Sequence, residues 1–216
     1  MDPLAEKYYP YSSYAYVANN PIIFIDPDGE IRIAQEYQNQ AKNDLKKVFG
    51  ERAHMFTFAE NGRLQLEGST RNFRRGMTRD QRRAFRGLNK AMNDKTVTDV
   101  VYADHYNLTF ADGVRSVDIV QEIGGGAFSR EDNLIVIAPS VGTKEVFLTI
   151  EDIQKTGRKV EIVDQNTTTV FFHEIGERNT PANVENRGEV IDFENIVRRI
   201  LEMRERPYDL FHEPNK

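Results

Sequence analysis

The sequence predicts an α+β domain in which a small twisted sheet is followed by two helices near the carboxyl end. Short apolar runs of strand length fill the middle of the chain, and segments with a helical apolar period lie towards both ends. With 216 residues, 39% of them apolar, the chain has the length of one main domain with a sizeable core and an appendage.

Composition restricts the function classes. Cysteine is absent, which excludes disulfides and thiolate metal sites, so any metal must be held by Asp, Glu and the four His residues. We expect no membrane span and find no signal-peptide pattern at the start. The net charge of -5 argues against an extended nucleic-acid-binding surface, so we do not expect nucleic acid as a partner.

An arginine cluster is the local exception to this acidic balance. We interpret it as a solvated helix face in preference to a phosphate-binding patch. Its members are Arg71, Arg74, Arg75, Arg79, Arg82, Arg83 and Arg86.

The first half of the chain is predicted to contain a helix, a hairpin and a second helix, in that order. Residues 1–30 are rich in Tyr, Pro and Asn and show no helical period. A helical period then runs from Ile33 to Val48 and is expected to stop at Gly50. Residues 55–66 alternate around Asn61-Gly62, which predicts a hairpin. A capping box at 78–81 begins a helix that is predicted to continue to residue 92.

The second half consists of strands and then two helices. The predicted strands are 97–102, 108–110, 117–123, 134–137, 146–150 and 160–163. The glycines at 124–126 lack the lysine and the context of a phosphate loop, so we interpret them as a flexible turn. A short helix around residue 173 and a long one over 188–204 complete the order.

The helix around residue 173 carries the chemistry. His173 and Glu177 are four residues apart and therefore share a helix face, which is the spacing needed to grip one metal ion. Glu174 lies beside that face, where a general base would be needed. The pattern is that of the zinc-protease helix H-E-x-x-H, with Glu177 in place of the second histidine.

The last helix offers a third ligand. A helical wheel places Glu189 and Glu194 within its apolar stripe and places Asp192 outside it. A carboxylate on a buried face needs a partner. That partner would be a metal ion, or Arg198 four residues after Glu194, and both interpretations stay open.

Further candidates lie in the strands and in residues 206–213 after the last helix, which we call the tail. His212 could complete the site, although an exposed terminal residue is the simpler interpretation. Tyr208 could donate a hydrogen bond to an oxyanion or only pack. His54 and His105 have no ligand-like neighbours, and we expect structural or exposed roles for them.

The amino-terminal residues resemble the end of the core of Rhs/YD-repeat proteins, whose shells carry a variable toxin at the carboxyl end. The matching sequence motifs are Asp2-Pro3-Leu4, Tyr14-Ala15-Tyr16, Asn19-Asn20-Pro21 and Asp26-Pro27-Asp28-Gly29. The run from Pro21 to Gly29 is also similar to the self-cleavage motif of that family, with Glu30 where leucine is usual. The resemblance implies a core remnant at 1–30 and a toxin domain at 31–216.

The carboxyl-terminal residues resemble the metallopeptidase toxin domains at the tips of Rhs proteins. The matches are His173-Glu174-Ile175-Gly176 and Glu194-Asn195-Ile196-Val197-Arg198. The resemblance implies a zincin-like fold in which His173 and Glu177 bind zinc and Glu174 is the catalytic base, with Glu189 or Glu194 as third ligand.

We therefore expect a zinc-dependent metallopeptidase toxin that hydrolyses peptide bonds in target-cell proteins. The alternatives are an inactive zincin relative that acts by protein binding, and a toxin of another class such as a nuclease. The resemblance also implies secretion or delivery into a target cell as the tip of a larger protein. The partners it implies are a cognate immunity protein, a protein substrate and the Rhs shell of the parent polypeptide.

Overall fold

The computed structural model describes residues 30–184 and 187–214, which form a mixed α+β structure with small sheets. The expected core remnant at residues 1–29 lies outside the described residues. The helices are α1 (Gln38–Phe49), α2 (Thr70–Arg74), α3 (Arg79–Met92), α4 (Ile150–Thr156), α5 (Thr167–Asn179) and α6 (Gly188–Ile200). The strands are β1 (Ile31–Ile33), β2 (Phe56–Phe58), β3 (Leu64–Leu66), β4 (Thr98–Tyr102), β5 (His105–Phe110), β6 (Gly113–Asp118), β7 (Gly126–Ser129), β8 (Leu134–Ile137), β9 (Thr143–Phe147) and β10 (Val160–Asp164).

The central sheet has the strand order β1-β4-β8-β7. β1, β4 and β8 are parallel, and β7 runs antiparallel to β8 at the edge of the described sheet. Strand β8 reads Leu-Ile-Val-Ile and is buried along its whole length, as expected for a strand covered on both faces. The pairs β2–β3, β5–β6 and β9–β10 form separate two-stranded sheets.

The two faces of the central sheet pack against different layers. Val100 and Ile135 belong to the larger core, which contains apolar residues of α1, α3, α5 and α6. Val101 and Val136 point to the opposite face, where the β5–β6 hairpin covers them. The alternation follows from the two-residue period of a strand.

Helix α5 lies at the centre of the helical layer. It contacts α1, α3 and α6 as well as β7 and β8. All of its residues from Thr167 to Arg178 are buried, including the charged ones. Because burying charge is costly unless each group is paired, the polar side chains of α5 need partners from neighbouring elements.

Several predicted elements are confirmed. The hairpin at Asn61-Gly62 is β2–β3, and α3 begins with the capping box of Thr78 and Gln81. Gly50 ends α1 with a φ of +59°. The short helix around His173 is α5.

Other boundaries were wrong. Ile33 lies in β1, and α1 begins only at Gln38. The predicted strand at 117–123 ends at Asp118, whose side chain accepts hydrogen bonds from the backbone of the turn that follows. The last helix ends at Ile200, and Glu202 then adopts a left-handed conformation with a φ of +56°.

Helix α4 and strands β1 and β7 were not predicted. Helix α4 has no buried residue, so it has no apolar stripe that periodicity could detect. Gly126 was expected in a turn but begins β7. Among the described residues, no helix is long and apolar enough to span a membrane.

Candidate metal centre

The start of α5 fixes the helix that carries the predicted motif. Asn166 caps it by accepting a hydrogen bond from the backbone of Thr169, whose hydroxyl accepts one from the backbone of Asn166 in return. Gly176 allows close packing on α6, because a Cβ atom there would lie 3.2 Å from Val190. The helix therefore holds His173 and Glu177 firmly against α6.

Three side chains converge on one point between α5 and the tail. His173, Glu177 and His212 each offer one ligand atom, and these atoms lie within 4.8 Å of one another. His212 Nε2 is 2.8 Å from Glu177 Oε1. Arg187 pairs with the other oxygen of Glu177. The sequence left the role of His212 open, and the fold brings it to the motif helix.

The tail is anchored by α6. Asn195 accepts a hydrogen bond from the backbone of Arg206 at 2.7 Å and donates one to its carbonyl at 2.9 Å. The backbone of Gly188 donates to Glu213 at 2.9 Å. A Cβ atom at Gly188 would lie 2.6 Å from that carbonyl oxygen, so only glycine lets the tail approach so closely.

A buried carboxylate holds each histidine by its Nδ1 atom. Glu194 Oε2 is 3.0 Å from His173 Nδ1, and Asp209 Oδ1 is 2.7 Å from His212 Nδ1. Arg206 connects the two carboxylates by donating to Glu194 at 2.9 Å and to Asp209 at 2.6 Å. The two histidines are therefore oriented by one connected network.

Glu194 is a partner of His173 in this arrangement. Its Oε1 atom accepts a hydrogen bond from Arg198 at 2.6 Å, so the predicted pairing of Glu194 with Arg198 is present. Its side chain is 1% exposed. Glu194 lies behind His173 and is not one of the three residues that meet at the possible metal position.

Electrostatics determine which ring nitrogens are free. Burial opposes ionisation of Glu194 and Asp209, but the hydrogen bonds from the histidines and the charge of Arg206 outweigh it and hold both pKa values well below the usual range. Ionised carboxylates can only accept, so Nδ1 of His173 and of His212 carries the proton. Burial lowers the pKa of His173, which leaves its Nε2 atom with a free lone pair.

The other two members of the group are stabilised as a charged pair. Burial alone would lower the pKa of His212, but its hydrogen bonds to Asp209 and Glu177 raise it. Burial would raise the pKa of Glu177, yet the hydrogen bond from His212 and the charges of His173 and Arg187 lower it. A proton therefore lies between His212 and Glu177, and a metal ion binding there would replace it.

Glu174 has a different environment from the neighbouring acids. It is buried, and no hydrogen bond reaches its carboxyl group within the part of the chain that the structure describes. Burial, together with the charge of Glu177, raises its pKa to about 8, while the charge of Lys144 works against this rise. A carboxyl group with such a pKa can exchange a proton with a reacting molecule near neutral pH.

The remaining predicted residues are not members of the group formed by His173, Glu177 and His212. Glu189 is exposed in the first turn of α6, so its placement in the apolar stripe was wrong; the tail covers Gly188 and leaves Glu189 at the surface. Tyr208 donates a hydrogen bond to Asp192 at 2.6 Å, and this bond raises its pKa to about 12.

The other two histidines contact residues that lie outside α5. His54 Nδ1 is 2.5 Å from the carbonyl oxygen of Glu51, and His105 is 3.6 Å from Asp118 across the β5–β6 hairpin. Asp118 thus gives His105 a carboxylate neighbour that was not expected from the sequence.

Sequence reasoning missed two residues of the site. Arg206 and Asp209 are both buried and form the link between the carboxylates. The spacing of Asp209 and His212, three residues apart, was the available signal, since a carboxylate near a histidine is the usual orienting partner of a metal ligand. No sequence pattern marks Arg206 apart from the surrounding charged residues.

Comparison of the chain with protein-family models, with curated proteins and with solved structures gave no match. The function must therefore be argued from the geometry of the site.

Proposed function

We propose that this chain is a zinc-dependent metallopeptidase with a zincin-like site. One observation carries the proposal: one buried and one partly buried histidine are each held by a carboxylate at Nδ1, and both offer a ligand atom beside Glu177. This is the arrangement by which proteins orient histidine ligands and raise their basicity. A structural role alone would not require both histidines to be held in the same way beside a third ligand.

The donor set fits zinc. Two imidazole nitrogens and one carboxylate oxygen are the ligands of several catalytic zinc sites, and three protein ligands leave a position open for substrate. Atoms bound to one zinc ion at roughly 2 Å lie up to about 4 Å apart. The three ligand atoms lie within 4.8 Å, so small rotations of the side chains bring them to that separation. His173, Glu177 and His212 would hold the ion.

Glu174 is the proposed general base. Bound zinc would supply a Lewis acid that polarises the scissile carbonyl. Glu174 accepts the proton of the attacking water and returns it to the nitrogen of the leaving amine. Its burial and raised pKa suit both steps, because the group must hold and release one proton within a turnover.

An extended peptide is the substrate that the surroundings support. β7 is the edge strand of the described sheet and packs against α5. A Cβ atom at Gly126, the first residue of β7, would lie 3.0 Å from Glu174 Oε1. A peptide that pairs with an exposed strand edge gains backbone hydrogen bonds without a fixed sequence. Such pairing along β7 would bring a peptide bond close to Glu174.

The biological setting proposed for this activity is a toxin carried at the tip of an Rhs protein. The support is the set of matching motifs at residues 2–29, together with the H-E-x-G motif at 173–176 and the E-N-x-x-R motif at 194–198. The target would be a protein of the recipient cell, and a cognate immunity protein would protect the producer.

Metal analysis tests the proposal. Elemental mass spectrometry of protein purified without chelators should find about one zinc ion per chain. His173→Ala and His212→Ala should each lose it, because each removes one ligand of three. His54→Ala is the control and should keep it, since His54 is not one of the three proposed ligands and its Nδ1 contacts the Glu51 carbonyl. A metal-free wild-type protein that also fails to take up added zinc would leave the protein-binding and nuclease alternatives.

A further inference from the structure

Lys144 occupies an unusual position on the β9–β10 hairpin. It pairs with Val163, and these two residues share a face of the hairpin with Val146. Val146 and Val163 are buried, whereas Glu145 and Phe147 on the opposite face are exposed. The side chain of Lys144 therefore lies on the inward face of the hairpin, where it is partly buried.

Three consecutive glycines place Lys144 beside the proposed base. A Cβ atom at Gly124 would lie 2.8 Å from Lys144 Cε and 3.1 Å from Lys144 Nζ. A Cβ atom at Gly126 would lie 3.0 Å from Glu174 Oε1. The ammonium group and the carboxyl group thus rest against the two ends of the same short backbone segment.

The two groups are near each other but are not paired. Within the described residues, the side chains of Lys144 and Glu174 form no ion pair shorter than 4.0 Å and no hydrogen bond. Their charges still interact: burial and the charge of Arg206 lower the pKa of Lys144, and the charge of Glu174 opposes this shift. A cation is therefore held close to the base with its donors free.

We propose that Lys144 is a catalytic residue that binds the carbonyl oxygen of the scissile peptide bond and stabilises the negative charge that develops on it. The inference rests on the proposed peptidase function. Donors aimed at an oxygen that gains charge in the transition state are worth more in a site from which water is excluded. Lys144 offers three such donors.

The reaction balances as a simple hydrolysis. The oxygen of water forms a bond to the carbonyl carbon, and the electron pair of the C=O double bond moves to the oxygen that Lys144 binds. Glu174 takes one proton from the water. When the C–N bond breaks, the electron pair returns from the oxygen to form the new carboxyl group, and the amine nitrogen receives the proton from Glu174. Lys144 ends the cycle unchanged.

Tyr208, the oxyanion donor considered from the sequence, is less suited to this role. Its hydroxyl group already donates to Asp192. Moving it to a substrate would break that bond and leave the carboxylate without its partner, whereas the Lys144 side chain has no such bond to any described residue.

The test compares Lys144→Met, Lys144→Gln and Lys144→Arg with wild-type protein loaded with zinc. The probe is a mixture of peptides from a digested bacterial lysate, in which new amino termini are detected by mass spectrometry. The peptide cleaved fastest then serves for kinetics. The matched control is Lys155→Met, which removes an exposed lysine of α4 that pairs with Glu151.

Loss of an oxyanion donor should lower kcat by about 10²- to 10³-fold. KM, zinc content and the melting temperature should change little in Lys144→Met and Lys144→Gln, and Lys144→Arg should recover at least about tenfold of the loss because it restores the charge. A phosphonate analogue of the same peptide, which carries the tetrahedral anion, should bind the Met variant about 10²-fold more weakly.

The outcomes separate the two proposals. If wild-type protein binds zinc and cleaves peptides but Lys144→Met keeps kcat and phosphonate affinity within about threefold, the role of Lys144 is wrong and the peptidase proposal stands. A Met variant that loses zinc, or an Arg variant as inactive as the Met variant, also overturns the role. If wild-type protein neither holds zinc nor cleaves any peptide, both proposals fall.

Discussion

Arg206 Nη1 lies 2.9 Å from Glu194 Oε2, and each side chain is 1% exposed. This buried ion pair joins the tail to α6. Because the same guanidinium group also binds Asp209, it holds together the carboxylates that orient both histidines of the site. The stability of the tail and the metal affinity should therefore depend on one residue.

Arg206→Met should reduce the free energy of unfolding by about 3–5 kcal/mol, because it leaves the buried carboxylates of Glu194 and Asp209 without their shared partner. The measurement is urea unfolding of metal-free protein. Arg204→Met is the control. Its side chain is 76% exposed and pairs with Glu161, so the loss should be below about 1 kcal/mol. Equal losses in the two variants would show that the buried network contributes nothing special.

Asp209→Asn should weaken zinc binding by about 10- to 100-fold. The amide can still accept the hydrogen bond from His212 Nδ1, but it lacks the charge that makes the ring more basic. Competition with a coloured chelator measures the affinity. Asp192→Asn, which changes an exposed acid on α6, should have no effect. Unchanged zinc affinity in the Asp209 variant would mean that His212 is not a ligand.

Glu174→Gln should keep zinc and fold but cleave peptides at least about 10²-fold more slowly, because the amide cannot accept the proton of water. Glu145→Gln, an exposed acid on β9, is the control for charge. Expression in a bacterial host provides a second measurement, in which the Glu174 variant should no longer inhibit growth. A variant that remains fully active would exclude Glu174 as the base.

Asp99→Asn should stabilise the protein at neutral pH. Burial raises the pKa of Asp99 from 3.8 to about 6, with the charge of Arg32 opposing the shift. The folded state therefore keeps a proton that the unfolded chain loses, and wild-type stability falls as the pH rises from about 4 to above 6. The variant avoids this loss.

The gain from Asp99→Asn should be about 1–3 kcal/mol above pH 6 and should vanish below about pH 4. Thermal unfolding across this pH range measures it. Asp112→Asn, in the exposed turn between β5 and β6, is the control and should show no such trend. A difference that is constant with pH would assign the effect to packing and not to ionisation.

The amino-terminal boundary can be tested by deletion. Removal of residues 1–29 should leave a cooperative thermal transition, because the described domain begins with Glu30, which pairs with Arg63 at 2.6 Å. Removal of residues 1–33 should abolish that transition, since it deletes β1 and its buried residues Ile31 and Ile33. Loss of folding in the shorter deletion would show that the first residues belong to the domain.

Local signals were sufficient for the elements whose stability is local. The capping box at Thr78 and the turn at Asn61-Gly62 depend on residues within a few positions of each other, so the sequence predicts them directly. The i, i+4 spacing of His173 and Glu177 is likewise a property of one helix. Helix α4 was not predicted, because a helix without buried residues has no apolar stripe in its sequence.

The sequence by itself determined that an acidic, cysteine-free α+β chain carries a histidine and two glutamates on one helix. Only the tertiary structure decided which groups complete the site. His212, Asp209 and Arg206 reach the site because α6 anchors the tail, and Lys144 lies near Glu174 because glycines at 124 and 126 leave room for both side chains. These contacts join residues far apart in the chain, and their partners are selected by close packing and by the need to neutralise buried charge, which no local pattern records.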